Sequence, residues 1–432
     1  MTQSSHLPHF RTWLASLEEE KLATILRNRS DVLNPLPPSI AALATRLLLR
    51  TSIARALMNC TARQLAEIED IARRGGELEE VEDLNPDITR QLKERGLAYG
   101  NVLIPPEVMP ALPTGWSLLD QVQVSPEDIA ELPDEERKVL LTLSRSNGLG
   151  TTRDAAIDAD PARPIPRLIA KQLLQRVDAT TVRLPRAVHL ALNGKPTAPI
   201  PVEGITESPA PDPKADDAGT AAGLSAVRGM QRVIDALGAR PIELLKDKTV
   251  GVRQLTNLSK TLTIDEGELR RLIELGMSAR LLSRGEPKNF EGNFLAPTEL
   301  SQDWLDAGLA EKWQVLLEAW TASPWTKEGR TLAHTNDRLP SFRDKVLQVY
   351  LRGAKPTFEE SLRFHFPLFA THTSDETIAE LRAEAEWIGA IALERPTSVL
   401  IDAPDAAARL TPDTVDYFLI QADMTVLVPG PL

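Results

Sequence analysis

Cysteine is nearly absent. One residue, Cys60, stands among 432, which excludes an internal disulfide and any cysteine-based zinc site. It reads as a small buried apolar filler. Aromatic residues make up only 4% of the chain, so the core must rest on Leu, Ile, Val and Ala. Positive charge is in deficit: 49 Lys and Arg face 61 Asp and Glu, for a net charge of −12. Such a chain is no general binder of polyanions, and any nucleic-acid contact has to come from a local basic patch. Long apolar runs are missing too. None approaches the ~18 residues of a membrane span. The opening MTQSSHLPHFRTW has no apolar run behind a basic start, so no signal peptide is expected. The expectation is a cytoplasmic protein with no membrane partner.

Signatures of catalysis are also lacking. There is no G-x-x-x-x-G-K-S/T loop to cradle phosphates, no H-E-x-x-H helix and no G-x-S-x-G elbow. PDEER at 133–137 superficially suggests an acidic box, but no buried apolar strand precedes it to present a metal-holding pair. Acids gathered at a helix start, where the helix dipole favours them, account for it. The histidines, His6, His9, His189, His334, His365 and His372, are scattered. His365 and His372 flank Pro367 without a helical metal register. The chain is therefore expected to be no enzyme and to hold no cofactor or metal.

What the sequence does contain is a recurring order of elements. In residues 163–192 a helix beginning at Pro164, with Leu168, Ile169, Leu173 and Leu174 at helical spacing, is broken at Asp178-Ala179. The β-favouring Thr181–Leu184 follows, then Pro185 and an apolar helix start. A helix feeding a two-stranded ribbon is the back half of a winged helix, a variant of helix-turn-helix. The same order recurs, and the expected fold is α+β, mainly α, in tandem winged-helix-like units with short β-hairpin wings. Residues 1–60 form an N-terminal helical segment and 61–112 the first unit. Residues 113–194 hold a connector and the second unit. The third and fourth units are 223–320 and 321–410. Between them, 195–222 is rich in Pro, Ala, Asp, Gly and Thr and is expected to be a flexible linker. In the third unit 241–246 is expected to be a short helix. Generic α+β packing modules remain the alternative.

In a helix-turn-helix the last helix before the wing enters the major groove. Three of the four such helices, 85–95, 265–275 and 375–387, mix acids with bases or are acidic. The second has no acid. Arg163, Arg167 and Lys171 fall four residues apart on one stripe, Arg176 and Arg183 extend it, and Gln172 and Gln175 are suited to base edges. These seven residues are the candidate DNA-binding set; a solvated basic face is the competing reading. A second mildly basic zone, Lys327–Arg363, holds Arg330, Arg338, Arg343, Lys345, Arg352 and Lys355. Its Phe358, Phe364 and Phe366 read as core. Arg46, Arg50 and Arg55 read as a solvated face or part of a partner surface.

Several strings carry a resemblance: LATRLLLRTSIARAL (43–57), LPRAVHLALNG (184–194), AEAEWIGAIAL (383–393) and above all DYFLIQADMTVLVPGPL (416–432). They resemble actinobacterial helicase-associated proteins that carry a domain similar to the N-terminal domain of XPB-type DNA helicases. The resemblance implies that residues 411–432 are the start of an XPB-N-like domain, truncated here. It also implies association with DNA, as duplex or junction, and a link to an XPB-type helicase in repair or transcription. It supplies neither a catalytic residue nor a helicase motor. Two readings stay open: a non-catalytic DNA-binding or helicase-accessory protein, and a protein–protein scaffold whose winged helices bind a helicase or other partner.

Overall fold

Capping residues set most helix starts. Ser39, Thr61, Asn85, Ser125, Asp265 and Ser374 each stand one residue before a helix and accept a backbone N–H from its first turn, a bond that satisfies an otherwise orphaned donor. The computed structural model describes residues 9–113, 124–146, 148–194, 200, 209–288, 290–325, 335–353, 357–412, 419–420 and 426–427. They form a mainly helical structure with small antiparallel sheets. Among them no helix is long and apolar enough to cross a membrane. The chain divides into two compact units, Met1–Gly204 with Glu359–His372, and Ile205–Phe358 with Thr373–Leu432.

The first unit opens with α1 (Phe10–Ala15) and α2 (Glu19–Asn28), then α3 (Ile40–Leu47), α4 (Arg50–Leu57), α5 (Ala62–Arg73), α6 (Pro86–Glu94) and α7 (Val108–Ala111). Phe10, Leu14, Ile25, Leu43, Leu47 and Leu103 share one apolar core. Ile53, Leu65, Ile68, Leu92 and Ile104 share another. Cys60 lies wholly buried in the second, and burial pushes its thiol up to about 11, so it packs as an apolar group with almost no thiolate. The ribbon expected after α6 is reduced to one isolated bridge between Tyr99 and Leu103. Pro105 and Pro106 follow it directly and offer no N–H to extend a ladder.

Further along come α8 (Pro126–Ala130), α9 (Asp134–Arg145), β1 (Leu149–Thr151), α10 (Pro164–Ala170), β2 (Gln175–Arg176), β3 (Thr181–Arg183) and α11 (Arg186–Leu192). The strands form an antiparallel sheet in the order β1-β3-β2, with Gly150 opposite Val182 and Gln175 opposite Arg183. Residues 359–372, expected within the fourth unit, belong here instead. Phe364 and Leu368 are buried in the core built by residues 53–112. Their apolar side chains are covered by elements far away in sequence, which local pattern does not reveal.

The second unit is built on α12 (Pro213–Ala239), a helix of 27 residues. The expected linker 195–222 is thus overturned in its last ten residues; 195–199 and 201–208 lie outside the described residues. Asp212 caps the helix, Pro213 opens it, and the Ala and Gly that read as linker are close-packing residues. After α12 come β4 (Ile242–Glu243), α13 (Val252–Leu262), α14 (Glu266–Ser278), β5 (Leu282–Gly285), β6 (Phe294–Pro297), α15 (Leu300–Asp306), α16 (Leu309–Ala322) and α17 (Leu339–Leu351). A short helix expected over 241–246 is instead β4, the edge of a β4-β6-β5 sheet. Following α18 (Phe358–His365) and α19 (Pro367–His372), the chain makes α20 (Asp375–Trp387), the hairpin β7 (Ile391–Ala392) and β8 (Arg395–Pro396), α21 (Ser398–Ile401) and α22 (Ala403–Leu410). β9 (Leu419–Ile420) pairs with β10 (Val426–Leu427). The remainder of QADMTVLVPGPL lies outside the described residues.

α12 packs against α13, α14, α16, α20, α22, β6 and β7. A Cβ on Gly223 would sit 2.1 Å from the buried Trp313 ring. Gly389 has a φ of +81°, and a Cβ there would meet the Gly219 carbonyl oxygen at 2.2 Å. Asp216, buried in the first turns of α12, accepts the Ser398 backbone N–H at 2.6 Å and its hydroxyl at 2.7 Å. On α14, Glu274 is buried, and its carboxyl is raised to about 7 by burial, with Glu384 adding to the shift and Arg270, Arg343 and Arg271 opposing it.

Gly223→Ala is expected to destabilise the protein by about 1–3 kcal/mol through overpacking. Gly238→Ala, on the same helix with no atom nearer than 3.9 Å, should be neutral or stabilise it by up to about 1 kcal/mol. Thermal denaturation of the two variants checks this. For Glu274, the native state holds its proton more tightly than the unfolded chain, whose ordinary value is about 4.5. Its contribution to stability is complete at low pH and is lost as pH rises from about 4.5 through about 7. Glu274→Gln should flatten that part of the stability profile, raising stability most, relative to wild type, at the alkaline end.

Candidate nucleic-acid interface

The candidate set stands on α10, the turn after it and the β2-β3 ribbon. Pro164 and Pro166 open α10 with a preset φ, and Leu168 anchors it in a core shared with Leu140, Leu143, Leu174, Val182 and Val188. The helix is shorter than its apolar spacing suggests. It ends at Ala170 with Lys171 as its C-cap, and Gln172 takes a left-handed φ of +59°. Leu173 and Leu174 therefore reach the core from the turn, not from a helix. Asp178 shapes the wing by accepting the Thr180 and Thr181 N–H groups at 2.7 and 2.8 Å, which holds its carboxyl below the usual range.

Arg163, Arg167 and Lys171 do share one face, but two acids from neighbouring segments meet them there. Glu136 on α9 is 1% exposed; Lys171 Nζ donates to its Oε2 at 2.7 Å, and Arg167 Nε lies 3.0 Å from its Oε1. The Arg167 N–H is not aimed along that line, so its attraction is Coulombic, not a directed hydrogen bond. Arg163 pairs with Asp154. Arg176 donates to the Ala155 carbonyl and, at 3.4 Å, to the Ala156 carbonyl. Arg183 Nε donates to Gln175 Oε1 at 2.9 Å, which occupies the Gln175 amide oxygen. Gln172 is exposed. The helix itself is free of acid as read; the face it belongs to is not. Its five cations stand against two carboxylates within these pairs, so a positive excess survives. Arg163, Arg167 and Lys171 stay 59%, 40% and 45% exposed, open to an anion from solvent.

Glu136 is the residue sequence reasoning missed. Its signal was present: Glu136, Leu140 and Leu143 fall on one helical stripe, and an acid on an apolar stripe needs a buried cation. The reading of PDEER as acids gathered at a helix start holds, since Asp134, Glu135 and Glu136 form the first turn of α9; Asp134 and Glu135 are exposed there and Glu136 is buried.

On the other three helices most of the arginines are engaged internally. On α6, Arg90 pairs with Asp87 and Glu94. Arg270 of α14 pairs with Glu266, and Arg271 lies over the Trp387 ring. On α20, Arg382 pairs with Glu394 and lies over Phe358. The second basic zone divides. Arg343 is buried, pairs with Glu384 at 3.0 Å and stacks on Trp320, tying α17 to α20 and α16; Lys345 is buried too and donates to the Ser341 hydroxyl of its own helix at 2.9 Å, while Arg338 and Arg352 are exposed. Lys327, Arg330 and Lys355 lie outside the described residues. Phe358, Phe364 and Phe366 are buried, as core residues.

Comparison with known proteins finds no matching family model, no matching curated protein and no matching solved structure.

Glu136→Ala should cost about 1.5–3 kcal/mol, the worth of hydrogen bonds to a charged group. Asp154→Ala, facing a well-exposed arginine, should cost under about 1 kcal/mol. Denaturant unfolding of the two variants separates these values.

Proposed function

We propose that this chain is a non-catalytic, DNA-contacting accessory protein of winged-helix-like units, and that α10 with the β2-β3 ribbon is its principal DNA contact. The observation that carries the reading is the joint placement of Arg163, Arg167, Lys171, Arg176 and Arg183 around one helix and ribbon. The order β1-β3-β2, with α9 before the first strand and α10 between that strand and the ribbon, supports a winged-helix topology for this region. The sequence resemblance to helicase-associated proteins supplies the proposed context, an XPB-type helicase acting in repair or transcription.

The second reading is a protein scaffold that engages a helicase without DNA. It is favoured by the internal pairing of Arg90, Arg270 and Arg382 on α6, α14 and α20 and by the carboxylates already set against α10. Acidic units of this kind suit a basic partner surface better than a phosphate backbone.

The pairing of Glu136 decides how the test is built. Reversing Arg167 and Lys171 would strand a buried carboxylate, so Arg163→Glu with Gln172→Glu is the better variant; both positions are exposed. With about three phosphates neutralised, binding of a duplex should fall with a log–log salt slope near about −2.7, roughly 40-fold between ~50 and ~200 mM salt. The double variant should bind at least about tenfold more weakly and with a shallower slope, whereas Glu136→Gln should bind more tightly and with a slope steeper by about 0.9. Wild-type affinity in both folded variants would sink the DNA assignment. Retained co-purification with an XPB-type helicase under that outcome would support the scaffold.

A further inference from the structure

A cleft of about 560 Å³ opens between α2 and α6 in the first unit. Trp13, Leu17 and Ile25 give it an apolar lining, and Lys21 of α2 with Arg90 and Lys93 of α6 add positive charge. Its size is that of small-molecule sites, 300–1,000 Å³ as a general range. The walls are held by hydrogen bonds. Asn28 at the end of α2 donates to the Glu94 carbonyl at 2.9 Å, and the buried Arg29 donates to the Arg95 carbonyl at 3.0 Å and the Leu47 carbonyl at 2.9 Å. The Trp13 ring is fixed against Phe10 and Tyr99, at 5.5 and 6.2 Å between centroids. The cleft is thus set by the fold before any ligand arrives.

Its charge runs against that of the chain. Three cations line it against one carboxylate, Glu94, which Arg90 already engages at 3.5 Å. Lys21 is paired with Glu18 at 3.0 Å, and Arg90 also with Asp87. Lys93 differs. Among the described residues its ammonium makes no hydrogen bond or ion pair, although it is half-buried. Burial lowers its proton affinity, with only the more distant Glu80 acting the other way. A partly desolvated ammonium beside an apolar wall is unfavourable unless an anion meets it.

We propose that this cleft binds a small amphipathic carboxylate, its apolar body over Trp13, Leu17 and Ile25 and its head group on Lys93. A carboxylate supplies the charge that Lys93 lacks, and an aromatic or acyl body covers the apolar wall. The site is independent of the DNA reading, since none of its residues belongs to that face.

The test is calorimetric titration of the full chain with naphthoate, with its uncharged isostere naphthamide, and with decanoate. Both carboxylates should bind with roughly millimolar or tighter affinity, as ligands of this size do, and naphthamide at least about tenfold more weakly. Lys93→Met should remove that preference for the carboxylate, while Thr24→Trp, which fills the cleft, should abolish binding of all three. Melting curves establish that both variants are folded. The proposal is overturned if neither carboxylate binds, if naphthamide binds as tightly as naphthoate, or if folded Lys93→Met and Thr24→Trp bind like wild type.

Discussion

The second unit depends on how closely other elements approach α12. Trp313 fits flat against the helix only because position 223 has no side chain, and the turn before β7 reaches it only because positions 219 and 389 are both glycine. Trp313 Nε1 then donates to the Ile388 carbonyl at 2.8 Å, and Thr397 Oγ1 to the Gly389 carbonyl at 2.8 Å. Close approach and hydrogen bonding reinforce each other here. Each polar group is buried, so each must find a partner within reach, and the glycines set that reach. Asp216 extends the same device by capping α21 from the side of α12. The first half of α12, poor in apolar bulk, thus organises its surroundings through contact distance, while Val227, Met230, Val233, Ile234 and Leu237 of the second half pack as ordinary apolar side chains.

A second device is shared by both units. The chain is acidic, yet its buried acids hold cations or donors in place. Glu136 holds Arg167 and Lys171, and Glu384 receives Arg343 and the Trp320 Nε1 at 3.1 Å. Arg29, 1% exposed, does the reverse, donating to the Arg95 and Leu47 carbonyls and to the Ser52 hydroxyl beside Asp31. Buried charges of this kind are weak sources of net stability, because desolvation offsets most of the attraction. What they do provide is orientation. A guanidinium or carboxylate with several directed partners fixes the angle at which two helices meet.

Local rules made much of this legible in the sequence. Thr61 with Gln64 forms the capping box its spacing promises, and Asn85, Asp265 and Ser374 cap the helices they precede. Helix starts are legible because the cap and its partner lie within a few residues. Whatever depends on distant partners was not. The Ala- and Gly-rich start of α12 has the composition of a linker, and only partners far along the chain, Trp313, Gly389, Thr397 and Ser398, make it a packing surface. Residues 359–372 look like part of the segment around them, and only the buried Phe364 and Leu368 assign them elsewhere. At the candidate interface the basic stripe was legible; the burial of Glu136 was signalled by its place on an apolar stripe, but its pairing with Arg167 and Lys171 was not, since it comes from the preceding helix. The cleft beside Lys93 was invisible for the same reason: α2 and α6 are far apart in sequence, and nothing in either helix announces that they share a wall.

The pairing at α10 bears on what kind of DNA contact would be possible there. Glu136 takes the Lys171 ammonium in a directed bond but only attracts Arg167 through Nε, and the Arg167 side chain stays 40% exposed. A guanidinium offers five donors in a fixed fork, so a phosphate oxygen could be accepted without displacing Glu136. Attraction to that phosphate is reduced by the carboxylate behind it, and the loss is greater at short range than at the scale of a Debye length. Such a face would hold DNA weakly and release it readily. It would also be spared the folding penalty of three unpaired cations on one helix. A basic face tempered by its own buried acid thus trades binding strength toward an anion for a lower cost of folding.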